Sequence, residues 1–280
     1  MTTVAICAPS TPLTRETAEA VRALAAEHYP ALTLRFHEQC FAEAGHFAGD
    51  DAMRLAALLE CANDPAMDAV WFARGGYGAC RIVDEFIAGL KEAAPHKTFL
   101  GYSDAGYLLA ALYKARIGQP VHGSMPGDLR REGGEAAVLR ALSYLADEST
   151  GLEQSLDARP TVAFNLMTLA MLCGTEQMPD LAGHVVMLEE VSEHLYAVDR
   201  LFYHVTAHLR EVAGIRLGRV SDVPPNEPAF AESPAQIAQN WCERRGIAFL
   251  GAAEIGHDAE NRIVPFGRAG PKPDSAKEQE

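Results

Sequence analysis

The chain has 280 residues, 48% hydrophobic and 22% charged, and its 38 acidic against 24 basic side chains give a net charge of −14. At ~150 residues per domain, this length makes one large domain or two modest ones, and the balance excludes a disordered chain, a collagen and a coiled coil. Nucleic-acid binding rests on Lys and Arg neutralising phosphates, so the acidic surface argues against it. The opening Met1-Thr2-Thr3 leads straight into an apolar run with no secretory leader, and no apolar run reaches the ~20 residues that span a bilayer. The six cysteines are scattered without a C-x-x-C pair, so the expectation is a reduced, cytoplasmic protein away from membranes.

Taken in chain order, the first half alternates strand-like and helix-like segments. Val4–Ala8 reads as a buried strand closed by Pro9-Ser10, Glu16–Glu27 as an Ala-rich helix, and Leu32–Phe36 as a strand. Asp51–Cys61 reads as a helix with Met53, Ala56, Ala57 and Cys61 near one face, and Ala69–Ala73 as a strand. A helix is expected over Ala79–Leu90, a strand over Thr98–Tyr102, a helix carrying Leu108, Leu109 and Leu112, and a short strand over Gln119–His122. Strands separated by helices predict βαβ units and a mostly parallel sheet. A polar stretch at Glu148–Gly151 reads as a linker. Beyond it, Asn165–Leu172 looks helical and His184–Leu188 strand-like. From Tyr196 onward, Val198, Leu201, Phe202, Val205 and Leu209 form an amphipathic stripe. Ile215–Val220, Phe249–Glu254 and Arg262–Phe266 read as strands. The expected organisation is an α/β domain over residues 1–150, a second domain over 151–270, and a disordered polar tail over 271–280.

Four features carry chemistry. Gly101-Tyr102-Ser103-Asp104 links a strand to a helix, as a nucleophile elbow does, although Gly106 falls one position later than the G-x-S-x-G pattern asks. The bland alternative is that Ser103 or Asp104 caps the helix. In Arg74-Gly75-Gly76-Tyr77-Gly78, the glycines let a backbone approach a ligand closely and offer its N–H groups to an oxyanion; a plain tight turn is the alternative. Glu189-Glu190 at a strand end reads either as a carboxylate that orients an imidazole or as a solvated charge pair. Gly256-His257-Asp258 puts a loop histidine between strands, where a general base belongs. His204 and His208 have i, i+4 spacing, but Val205 stands where H-E-x-x-H needs a glutamate, which favours ordinary helix surface over zinc. Ser103, Glu189 and His257 follow the chain order of a triad found on α/β folds.

These motifs, with Arg81, His122-Gly123, Asn165-Leu166, Gly174-Thr175, Val191, Tyr196 and Asp199-Arg200, resemble the LD-carboxypeptidases, a serine peptidase family that includes microcin C self-immunity hydrolases. The resemblance runs from Ala8-Pro9-Ser10 to Pro265-Phe266-Gly267, nearly the whole chain. It implies a Rossmann-like N-terminal parallel sheet with helices, a smaller β-rich C-terminal domain carrying Glu189 and His257, an active site between them and a homodimer. It further implies Ser103 as nucleophile, His257 as general base, Glu189 as its orienting acid, and the Gly76 and Asp104 backbone amides as the oxyanion hole, with no metal or other cofactor. The reaction would release terminal D-Ala from a murein tetrapeptide, Gly75 and Arg74 lying at the substrate; Arg74 reads equally as a carboxylate ligand or a structural salt-bridge partner. Two rivals are a hydrolase of peptidyl-nucleotide antibiotic amides and a non-catalytic two-lobed binding protein. The chain departs from the family at Ala105-Gly106-Tyr107, at Ser124 after His122-Gly123, and at Ala163-Phe164 where a Gly pair is usual. Ala-Phe there would narrow space against that backbone.

Overall fold

A computed structural model describes residues 1–148 and 150–268. The expected tail over 271–280 lies outside the described residues. Two sheets organise the chain. The first contains β1 (Thr2–Cys7), β2 (Leu32–Phe36), β3 (Ala69–Phe72), β4 (Thr98–Gly101) and β5 (Gln119–His122), all parallel. Their connections carry α1 (Arg15–His28), α2 (Asp51–Asn63), α3 (Val83–Gly89) and α4 (Gly106–Ala115), and α5 (Gly134–Leu145) follows β5. β1, β3 and β4 are buried almost throughout, as a parallel sheet covered on both faces requires.

The second sheet contains β6 (Pro160–Asn165), β7 (Val185–Val191), β8 (Gly214–Ser221) and β9 (Phe249–Ala252), again parallel, with α6 (Leu166–Leu172), α7 (Leu195–His208) and α8 (Pro234–Arg245) between them. The chain then crosses back. β10 (Val264–Pro265) pairs antiparallel with β5 of the first sheet, and β11 (Gly267–Arg268) pairs antiparallel with β6 of the second. The last described strands therefore stitch the sheets together. One apolar core also runs through both, joining Phe72, Leu108 and Leu112 to Phe164, Leu169, Leu188 and Phe202.

In the first sheet the order is β10-β5-β4-β3-β1-β2. Chain direction around it reverses between β1 and β3, and the carboxyl ends of the strands beside such a switch point form a ready-made crevice. The segments after β1, β3, β4 and β5 all open there.

Local differences from the sequence reading have physical causes. Met53 is 48% exposed and Ala56 is exposed, whereas Arg54, Ala57, Leu58, Cys61 and Ala62 form the buried face of α2. Arg54 takes the inner position because its guanidinium donates to the Pro9 and Gly78 carbonyls, satisfying turn backbone that no strand reaches. The helix expected over Ala79–Leu90 breaks at Ile82 into a short 3-10 turn and α3. β7 runs on through Glu189 and Glu190 instead of ending before them. The α7 stripe is buried in full.

Candidate active site

Ser103 stands directly after β4 at φ 59, in the left-handed region that only a tightly determined turn imposes on a non-glycine residue. The turn is held from several sides. The Asp104 carboxylate points inward and accepts from the Ser10 hydroxyl, after β1, and from the Ala79 N–H at 2.9 Å, after β3. Burial pushes the Asp104 carboxyl pKa upward, and these hydrogen bonds offset only part of that rise. Behind the serine, the Thr168 hydroxyl of α6 donates to the Ser103 carbonyl at 3.3 Å.

The glycine turn after β3 lies against this serine. A Cβ on Gly75 would sit 3.3 Å from both Cβ and Oγ of Ser103. Gly76 has φ +112, and a Cβ there would meet Thr11 Cγ2 at 2.4 Å, so no other residue keeps this turn. The Thr11 hydroxyl donates to the Gly75 carbonyl at 2.6 Å and fixes the turn from the β1 side.

Ser103 Oγ is 2.9 Å from His257 Nε2, and His257 Nδ1 is 2.6 Å from Glu189 Oε2. The structure thus brings the three sequence-distant side chains into one line, with Glu189 0% and His257 8% exposed. Burial alone would lower the imidazole pKa, but the Glu189 charge and hydrogen bond outweigh it and the net shift is upward from 6.5. Both glutamates of β7 are buried, which disposes of a solvated pair. They are not equivalent. Glu190 accepts from Asn165 Nδ2 at 2.7 Å, Met167 N–H at 2.9 Å and Val191 N–H at 2.9 Å, so it anchors the start of α6. Asn165 also caps that helix by accepting from the Thr168 N–H.

A cavity of about 650 Å³ opens over Ser103 and His257, lined by Thr11, Arg74, Gly75, Gly76 and Met125 among others. Arg74 is exposed there, donates to the Pro12 carbonyl at 3.2 Å, and makes no ion pair among the described residues. Ala163 and Phe164 lie in the core of β6, Phe164 packing its ring on Phe266 with centroids 5.1 Å apart, and neither lines the cavity. His204 and His208 sit on α7 with ring centroids 4.6 Å apart, and among the described residues no three His, Cys, Asp or Glu side chains cluster as a metal site. The sequence reading missed Asp128, Arg130 and Arg131, which line the cavity from the 3-10 segment Pro126–Arg130 and the residue after it. It quoted Tyr102 only as part of the elbow, yet the Tyr102 hydroxyl donates to Asp128 at 2.9 Å.

A serine on a strained strand-to-helix turn, in line with a buried histidine and carboxylate beside a switch point, is the arrangement of groups that hydrolases with a covalent nucleophile use. Family models of the LD-carboxypeptidase N-terminal and C-terminal domains match residues 4–123 and 160–270. The chain belongs to the LD-carboxypeptidase family and is a peptidase. It is 28% identical over 286 residues to the murein tetrapeptide carboxypeptidase of Pseudomonas aeruginosa, covering 95% of this chain and 91% of that protein. The fold is that of the muramoyltetrapeptide carboxypeptidase from Oxalobacter formigenes, with TM-score 0.78, 22% identity, and coverage of 95% of this chain and 93% of that one. It is also that of MccF in complex with glutamyl sulfamoyl guanosine, with TM-score 0.77, 17% identity, and coverage of 95% and 91%. No helix among the described residues is long and apolar enough to cross a membrane.

Proposed function

We propose that the protein is a serine-type LD-carboxypeptidase that hydrolyses the amide between an L-centre and the terminal D-Ala of murein tetrapeptides, acting in cell-wall recycling as a cytoplasmic homodimer. The observation that carries this reading is the continuous Ser103–His257–Glu189 line, at 2.9 and 2.6 Å. Ser103 attacks the scissile carbonyl while His257 Nε2 takes its proton, and Glu189 holds Nδ1–H and stabilises the imidazolium. Charge develops on the carbonyl oxygen, which the Gly76 and Asp104 N–H groups meet; each such donor is worth ~3–4 kcal/mol in the transition state. His257 then protonates the departing D-Ala amine, and water, deprotonated by the same imidazole, releases the acyl group from Ser103. Arg74 receives the terminal carboxylate at the cavity wall beside Gly75. That it pairs with no carboxylate among the described residues favours that role over a structural ion pair.

The test is mass spectrometry of products from a murein tetrapeptide. Ser103→Ala abolishes release of D-Ala with the circular dichroism spectrum unchanged; near-full activity in that variant excludes Ser103 as the nucleophile.

One observation favours the peptidyl-nucleotide reading as a second. His46 lines the cavity, and its ring lies 6.2 Å from that of Tyr77, which is 50% exposed, so an exposed aromatic ring stands next to a ring of the cavity wall. Neither tryptophan takes part: Trp71 is 0% exposed and donates to the Ser124 carbonyl, and Trp241 donates to Asp199. Side-by-side turnover of the tetrapeptide and an aminoacyl-sulfamoyl adenylate decides between them, with the tetrapeptide expected to be the faster.

A further inference from the structure

His257 does not stand on a regular element. It sits in the loop between β9, in the second sheet, and β10, in the first. Glu189 fixes one end of the imidazole, but an imidazole on a free loop keeps its backbone freedom, and a general base displaced by ~1 Å loses much of its effect. The loop's flanks are tied by Asn261, whose Oδ1 accepts from the Gly256 N–H and pairs with His122 of β5, and by the Arg219–Asp258 pair, while the backbone of His257 itself is met from the nucleophile side.

The His257 carbonyl accepts a hydrogen bond from Arg131 Nη1. Arg131 is fixed in turn, since its Nε donates to Asp128 Oδ1 at 3.0 Å. Asp128 is 6% exposed and committed on both oxygens: Oδ1 also accepts from the Tyr102 hydroxyl at 2.9 Å, and Oδ2 from the Met125 N–H at 2.8 Å. Tyr102 is the residue before the nucleophile, and its ring lies 4.8 Å from the His257 ring. A closed circuit therefore runs from Ser103 through Tyr102, Asp128 and Arg131 to the backbone of His257.

We propose that Arg131 is a positioning residue for the reaction, holding the His257 loop in register with Ser103 by bridging the Asp128 carboxylate and the His257 carbonyl. The inference rests on the Ser103–His257–Glu189 reading above. Arginine suits the task because its planar fork offers Nε and Nη1 to two acceptors at once, which an ammonium cannot span with the same geometry. An exposed ion pair made for stability alone contributes little. Here the same guanidinium also reaches across to the His257 carbonyl and so ties the segment after β5 to the loop that carries the imidazole.

The bridge also has an electrostatic signature. His257 faces Glu189 from β7, Tyr102 beyond β4, the buried His122 from β5, Asp128 and Arg131 from the segment after β5, and the Asp258–Arg219 pair beside it. Among these, Arg131 opposes protonation of the imidazole, whereas Glu189 and Asp128 favour it. Removing the cation moves the protonation midpoint of His257 to higher pH.

The test measures the rate at which a fluorophosphonate probe phosphonylates Ser103 across pH 5–9, an Oγ–P bond forming as fluoride leaves and His257 takes the hydroxyl proton, which reads base and nucleophile whatever the natural substrate is. In Arg131→Met the rate at pH 8 falls on the order of tenfold, the fold-change of one lost charge-assisted hydrogen bond, and the acid midpoint moves upward. Arg131→Lys keeps the charge, so its midpoint stays with the wild type while its rate stays low. The side chain of Arg131 is 40% exposed, so both variants are expected to fold. Wild-type rate and midpoint in Arg131→Met, or a lowered melting temperature with both unchanged, overturn the proposal. Absence of labelling in the wild type instead removes the Ser103 reading, and this inference with it.

Discussion

The two sheets serve the site in different ways. On the first, every functional group comes from a segment just past a strand: Thr11 after β1, Gly75 and Gly76 after β3, Ser103 after β4, Asp128 and Arg131 after β5. On the second, the proposed orienting acid, Glu189, is inside strand β7, with a buried twin beside it. Loop positions give backbone amides and strained turns the freedom to face a ligand, at the cost of needing cross-braces such as Asp104 and Thr11. A strand position gives a carboxylate one orientation, fixed by the ladder. It fits the proposed role of Glu189, while the proposed base, His257, lies on a loop.

Three substitutions sharpen or break that contrast. Glu189→Gln has the largest expected effect. The amide cannot stabilise the imidazolium, and kcat falls on the order of 10³–10⁴-fold, as in other triads. The sign of the pH shift follows from the raised pKa of His257. Activity needs the neutral imidazole, so the wild-type acid limb lies above pH 6.5, and losing the carboxylate moves it downward. The same upward shift gives a stabilisation that is full below pH 6.5 and fades as pH rises through the folded-state pKa. Glu189→Gln removes that slope from chemical denaturation measured across pH, and an unchanged slope counts against the pairing.

Gly76→Ala comes next. Its φ of +112 and the 2.4 Å approach to Thr11 force the turn to shift. If the Gly76 amide serves the oxyanion, kcat falls ~10²-fold with KM changed far less. Equal losses in kcat and stability, with no change in their ratio across substrates, point to a structural turn alone.

Glu190→Ala is the smallest in activity and tests the twin. It strands the Asn165 amide and the Met167 and Val191 N–H groups, so unfolding free energy falls by about 2–4 kcal/mol, while kcat per folded molecule drops far less than in Glu189→Gln. Urea melts and active-site titration separate the two quantities.

Legibility in the sequence follows the range of the interactions involved. Local signals marked β1 to β5, the α7 stripe and the turns bearing Ser103 and Gly76, because strand alternation, helix period and glycine placement are written within a few residues. Strand β6 is hidden in the sequence, since Pro160–Asn165 runs into helix-like sequence without a turn signal, and α5 carries no distinct signal. Arg54 on the inner face of α2 defied periodicity because its partners, the Pro9 and Gly78 carbonyls, lie on other segments. Arg131 and Asp128 carry no motif for the same reason: their significance comes from Tyr102 and the His257 carbonyl, which are neighbours only after folding. The meeting of Ser103, Glu189 and His257 rested on chain order and family likeness, since no local pattern links residues 154 positions apart.

The return of β10 to the edge of β5 bears on how proteolytic potential is held in check during synthesis. The imidazole and the strand that seats it follow both sheets in the chain, so a nascent or clipped polypeptide ending before residue 257 has its hydroxyl and glycine turn but nothing to take the proton. Such a fragment is a receptacle without chemistry. The proposed site is complete only with the returning segment that pairs along the edge of β5.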